Sequence, residues 1–197
     1  MEDLAPLQQL GGIEHLAIRW NTKLKDLSPL ARLSNLETLI LEDVPKVEDL
    51  APLAHLQKLL ALDFSGGIWN KNRARSLLPF AGLPRLQELR LYNLRVDSDG
   101  LRPLAGCKTL QSLSVSNQFP TEDYAFRAAA LPSTHCGMFA PFVHIATPID
   151  GKDVMVVGKG KPFLNSTTDH VRLTEYVRQF EALREEARRS LAQSSLP

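Results

Sequence analysis

The chain has 197 residues, 44% of them hydrophobic and 23% charged, with 23 basic and 22 acidic side chains. That length supports one large or two small domains with a sizeable core, and the near-balance of charge excludes a strongly basic nucleic-acid surface. No stretch approaches the roughly 20 apolar residues of a membrane span. The start, MEDLAPLQQL, is acidic where an export signal has a basic region before an apolar run, so the sequence reads as that of a soluble, cytoplasmic protein.

From the N-terminus the chain repeats itself. Pro6, Pro29, Pro52, Pro79 and Pro103 are separated by 23, 23, 27 and 24 residues, and each is followed by apolar residues at +1, +4, +7, +10 and +12. In the second unit these are Leu30, Leu33, Leu36, Leu39 and Leu41, and all 25 such positions in the five units are apolar. The first three of each set have the spacing of a helical turn. The last three form LxxLxL, whose final pair alternates as on a strand with one buried face. A unit that changes structure midway cannot bury its leucines alone and needs copies stacked beside it. Cys107 fills one of these positions and is read as a small core residue. With Cys136 it makes two cysteines, too few for a disulfide framework.

The period, the LxxLxL pattern and the segments DLAPL, DLSPL and DLAPL of the first three units resemble the short, internalin-like class of bacterial leucine-rich repeats, from Asp3 to about Asn117. The resemblance implies an α/β leucine-rich-repeat solenoid of five units with a parallel concave sheet, covering residues 1–118, and a protein-binding role. That class usually places an asparagine three residues after the last strand leucine. Here the positions hold Asn21, Val44, Gly67, Leu94 and Gln118, so a less regular turn edge is expected. The first apolar set begins seven residues into the chain, too early for a helical cap, so the expectation is an open edge: either residues have been removed there, or something else covers it, such as a second copy of the chain. The 27-residue spacing carries an insertion, Ser65 to Ser76, polar and basic apart from Ile68 and Trp69. Trp69 is either a contact for a partner or a residue folded back over the repeat edge.

After Asn117 the period stops, and residues 119–197 read as an α+β cap. A short helix starts at Pro120 and Thr121 and ends before Pro132. Two β-rich runs around Asp150 and Gly151 make a hairpin. GKGKP, Gly158 to Pro162, is a turn between strand and helix. A long helix from about Asp169 to Ala192 carries the stripe Leu173, Tyr176, Val177, Phe180, Leu183, Ala187 and Leu191. Covering the terminal repeat is its expected role, and the helix offers a second seam for a homodimer. The segment resembles the C-terminal extension of uncharacterised bacterial leucine-rich-repeat proteins, which brings no activity with it.

In the implied fold, the strand residues between and beside the leucines face outward in three rows. These are His15, Thr38, Ala61, Glu88, Ser112; Ala17, Ile40, Asp63, Arg90, Ser114; and Arg19, Glu42, Ser65, Tyr92, Ser116. Arg, Tyr and Trp are enriched among interface hot spots, so Arg19, Trp20, Glu42, Asp63, Trp69, Glu88, Arg90 and Tyr92 are the expected contacts for a protein partner. A serine, His15 and Asp63 share this face, but four strand steps of about 4.8 Å put His15 roughly 19 Å from Ser114, against the ~3 Å that a nucleophile and its base require. Glu42, Asp63 and Glu88 on successive strands fall within glycosidase range, with Arg19 and Arg90 nearby to pair them. His135, Cys136 and His144 match no standard zinc spacing. GKGKP lacks the GxxxxGK[ST] of a phosphate loop. The expectation is therefore a binding module without catalysis, metal or cofactor, with no nucleic acid and no membrane as partner. The alternative is an anion-binding or enzymatic C-terminal domain that uses Lys159 and Lys161.

Overall fold

The structure, a computed structural model, describes residues 3–193, so the outer limits of the two expected domains, residues 1–2 and 194–197, lie outside the described residues. The chain divides into two compact units, Met1–Ser116 and Asn117–Pro197.

In the first unit the strands are β1 (His15–Arg19), β2 (Thr38–Glu42), β3 (Ala61–Ser65) and β4 (Asn72–Ala74), then, after the one-turn helix α1 (Leu78–Ala81), β5 (Glu88–Leu91), β6 (Leu94–Val96) and β7 (Ser112–Val115). Five of them form a parallel sheet in the order β1-β2-β3-β5-β7. Its register aligns Leu16, Leu39, Leu62, Leu89 and Leu113 side by side. In units two to five every leucine-position side chain is buried, whereas in the first unit Leu10 is 50% exposed and only Ile18 of the five is buried. Burying each such side chain contributes about 1.5 to 3 kcal/mol.

The DLxPL segment has a physical logic. Asp3, Asp26 and Asp49 accept the N–H two residues ahead, at Ala5, Ser28 and Ala51, at 2.7, 2.8 and 2.9 Å, and Ser76 does the same for Leu78 at 2.9 Å. Each such turn leads, by way of the proline, into a 3-10 segment (Ala5–Gln9, Ser28–Arg32, Ala51–His55) or α1. The Ser28 hydroxyl and amide hold Asp26 below its ordinary carboxylate range. The leucine two residues before each repeat proline forms a further core column: Leu4, Leu27, Leu50, Leu77 and Leu101 are all buried.

The turn edge differs from the expectation at one place. Asn72, from the insertion, is fully buried and accepts the Val44 N–H at 2.9 Å, while its amide nitrogen donates to the carbonyls of Leu41 (3.2 Å) and Ser65 (2.9 Å). An asparagine from 28 residues downstream thus satisfies the second turn, where Val44 cannot. The insertion, read as a loop, also contains β4, which pairs in parallel with β6. Gly66 is required at its entry, because a Cβ there would lie 2.3 Å from the Asn93 carbonyl oxygen.

In the second unit, helix α2 (Thr121–Ala130) is followed by β8 (Phe142–Ile149), β9 (Lys152–Val156), β10 (Phe163–Leu164) and helix α3 (His170–Gln193). Asp150 and Gly151, with φ of 50° and 74°, turn β8 into β9 as a two-residue hairpin. The expected hairpin is in fact a three-stranded antiparallel sheet, β10-β9-β8, and GKGKP joins two strands rather than a strand and a helix. Leu173 of α3 packs with Val154, Val156 and Leu164, and Phe180 is fully buried. Tyr124 of α2 is buried with its phenol oxygen accepting the N–H groups of Gln118 and Phe119, and burial pushes its pKa up to about 12.

Two outcomes follow from these contacts. Leu62→Ala should cost about 2 to 5 kcal/mol, and Asn72→Ala, which takes the acceptor from the buried Val44 N–H and a donor from the Leu41 and Ser65 carbonyls, at least about 2 kcal/mol, both measured by denaturant unfolding. A wild-type midpoint in the first would contradict the register, and in the second the turn-satisfying role of Asn72. Because the folded phenol of Tyr124 titrates above its unfolded value of 10.0, its contribution to stability is complete below pH 10 and is lost as pH rises toward 12. Thermal unfolding followed by circular dichroism should therefore fall over that window, and less steeply in Tyr124→Phe.

Candidate functional site

The register places the expected rows as read. His15, Thr38, Ala61, Glu88 and Ser112 align across the sheet, as do Ala17, Ile40, Asp63, Arg90 and Ser114, and Arg19, Glu42 and Ser65. His15 on β1 and Ser114 on β7 lie on opposite edge strands, which keeps the serine, histidine and aspartate apart. Glu42, Asp63 and Glu88 run diagonally, one row lower on each successive strand.

These carboxylates have different surroundings. Glu42 is joined to Arg19 by a 3.0 Å ion pair. Asp63 accepts the hydroxyl of Ser65, which is buried rather than outward-facing and in turn accepts the Tyr92 N–H at 3.1 Å. Glu88 and Arg90 are exposed and make no ion pair among the described residues. The expectation that Arg19 and Arg90 both sit in ion pairs therefore holds for Arg19 alone. A hollow of about 130 Å³ on this face is lined by Thr38, Ile40, Ala61, Asp63, Glu88 and Arg90.

The rim at the C-terminal ends of the strands carries the large side chains. Trp20 is 74% exposed, Tyr92 46% and Trp69 91%, so Trp69 does not fold back over the repeat edge. Trp20 has φ 53°, in the left-handed region, at the position where later repeats have Asp43 (52°) and Asn93 (44°). Asp and Asn tolerate this conformation, whereas for a bulky residue it is an outlier that costs about 1 to 3 kcal/mol.

In the second unit the GKGKP loop uses its backbone donors internally. The N–H groups of Gly158, Lys159 and Lys161 donate to Asn117 Oδ1 (2.7 Å), the Phe119 carbonyl (2.7 Å) and the Gly158 carbonyl (3.1 Å). The Lys161 ammonium sits 5.4 Å from the Tyr176 ring centroid. A phosphate cradle needs those N–H groups aimed at the ligand. The stripe of α3 offered as a dimer seam is partly used within its own unit, through Leu173, Phe180 and Ala187. Among the described residues no group of three or more His, Cys, Asp or Glu is placed to hold a metal ion, and no helix is long and apolar enough to cross a membrane.

Two features escaped sequence reasoning. The burial of Asn72 depends on tertiary contacts, and the strain at Trp20 is visible only in its backbone angle. Trp20→Asn should accordingly raise stability by about 1 kcal/mol, read from the denaturation midpoint. A loss of stability would mean that the indole packs for structure.

No protein-family model and no curated protein matches the chain. Among solved structures it is similar to an internalin C2 from Listeria monocytogenes str. 4b F2365, with 32% sequence identity and a TM-score of 0.53. The alignment covers 67% of this chain, and the chain spans 54% of that one. With the parallel five-stranded sheet and its repeat register, this similarity establishes the fold as an α/β leucine-rich-repeat solenoid followed by a segment ending in a long helix.

Proposed function

We propose that this chain is a non-enzymatic protein-binding module that engages its partner through the outward, concave face of the parallel sheet. The observation that carries the reading is the pairing state of that face. Arg90 and Glu88 stand exposed without an ion pair among the described residues, on one strand beside a hollow that Ile40 and Ala61 also line, and Tyr92 stands exposed at the adjoining rim. Arg19 and Glu42, by contrast, are already paired with each other.

The scaffold supports the same reading. Leu89 and Leu91, buried on either side of Arg90 in β5, fix the backbone and the direction in which the arginine leaves the sheet, so no backbone ordering is needed when a partner arrives. Arginine and tyrosine beside a hollow are the residue types that dominate interface energetics. Arg19, Glu42 and Asp63 extend the surface toward the N-terminal strands, and Trp20 and Trp69 border it.

A pulldown from the native host identifies the partner. With that partner, Arg90→Ala combined with Tyr92→Ala should weaken binding by at least about 2 kcal/mol while the unfolding midpoint stays within experimental error. Unchanged affinity in that variant, alongside loss of binding when Lys159 and Lys161 are both replaced by alanine, would move the function to the second unit.

A further inference from the structure

Ile68 and Trp69 are consecutive, 89% and 91% exposed, and rigidly presented. The carbonyls on either side of them, Gly67 O and Asn70 O, both accept from the single side-chain amide of Asn93, at 2.7 and 3.1 Å. Below that clamp, Gly66 donates to the Tyr92 carbonyl at 2.8 Å, and Asn72 is buried against the turn of the second repeat. Both feet of the loop are thus tied down and only its apex is in water. A tip without a partner leaves unrealised the roughly 1.5 to 3 kcal/mol that burial of each large apolar side chain gives.

The surroundings of the tip are cationic. Lys23, Lys46 and Arg73 each stand one residue before a fully buried side chain, Leu24, Val47 and Ala74, and therefore occupy equivalent flank positions in successive repeats. Arg95 continues the column as the register partner of Arg73. Lys71 lies beside Trp69 in the chain. Across the rim segments 20–23, 43–46, 66–73 and 92–95 the only acidic residue is Asp43, which is buried. Carboxylates of the next column answer Arg73 (Glu48 and Asp97, both 3.7 Å) and Arg95 (Asp97, 3.3 Å). Lys46 and Lys71 are exposed and make no ion pair among the described residues.

We propose that this rim is a docking strip for an acidic, extended segment of a partner protein, with apolar side chains of the segment on Ile68 and Trp69 and its carboxylates facing Lys46 and Lys71. The proposal rests on the protein-binding reading above and names the partner's chemistry. The strip runs along the stack from Trp20 to Tyr92, three strand steps or about 14 Å, a length that about four or five extended residues span. Along it every repeat contributes a cation, and the first, third and fourth also contribute an aromatic side chain, Trp20, Trp69 and Tyr92. That order suits a chain with interleaved acidic and apolar side chains better than a flat lipid surface, which needs its apolar groups in one plane.

The test is selection of a random dodecapeptide library on the full chain, followed by fluorescence anisotropy with the enriched peptides. Enriched sequences should be acidic with interspersed apolar residues and should bind more weakly as salt rises. Trp69→Ala and the double change Lys46→Ala with Lys71→Ala should each lower affinity by about tenfold or more. Asn93→Asp, which keeps a residue tolerant of positive φ but removes the amide clamp, should weaken binding while the far-ultraviolet spectrum is unchanged. Enrichment of neutral or basic sequences, no enrichment, or full affinity in Trp69→Ala would overturn the proposal. So would a Trp69-dependent blue shift on phosphatidylcholine vesicles containing about 30% phosphatidylserine together with no peptide binding. Peptides that depend on Arg90 and not on Trp69 would leave the concave-face reading standing and remove the rim from it.

Discussion

The side-by-side alignment of Leu16, Leu39, Leu62, Leu89 and Leu113, the last four of them buried, determines everything that the five-stranded sheet presents. Strand side chains alternate between faces, so a slip of one residue in any pairing would drive Arg90 or Asp63 into the core and expose a leucine. Leucine stack and backbone ladder therefore select the same register. This explains why the 27-residue spacing does no damage. The additional residues enter after β3 has ended, and Leu62 still meets Leu89.

A leucine stack settles apolar burial but not the backbone groups at the corners, where the chain leaves one element for the next. Those groups need polar partners, and the chain supplies them in two ways. One is local: aspartates two residues ahead of the 3-10 turns accept their N–H groups, and Asn21 accepts the N–H groups of Lys23 and Leu24 at 3.3 and 3.2 Å. The other is long-range. Val44 replaces the asparagine of the second turn, and Asn72 enters from the insertion to take over its hydrogen bonds. The insertion is thus part of what closes the solenoid wall as well as the carrier of an exposed tip.

How much of this was legible in the sequence follows from the range of the interactions. The strand positions, the outward rows and the Asp150–Gly151 turn are local patterns, with periods of two or a two-residue conformational preference, and they emerge as read except at Ser65, whose side chain is buried. Strands β4, β6 and β10 are two or three residues long and exist only because a distant partner pairs with them, so no alternation within them could announce them. The exposed residues expected to contact a partner fall between these cases. The outward orientation of Arg90 and Tyr92 follows from Leu89 and Leu91, whereas the exposure of Trp69 depends on the Asn93 clamp, 24 residues further along the chain. The lack of an ion pair at Arg90 depends on side-chain placement that no spacing encodes.

The rim of the sheet shows where stability has been given up. Asp43 and Asn93 occupy the left-handed turn position with residue types suited to it, yet the first repeat places a tryptophan there and leaves it largely in water. The insertion likewise holds Ile68 and Trp69 out of the core with hydrogen bonds that a shorter turn would not need. Neither arrangement lowers the free energy of the isolated chain, since strain and apolar exposure both raise it. Two unrelated devices, a strained backbone and a clamped loop, thus display aromatic side chains along the same edge. An arrangement that costs stability twice in one place is what the proposed docking strip requires, since its apolar groups would be buried only when a partner is bound.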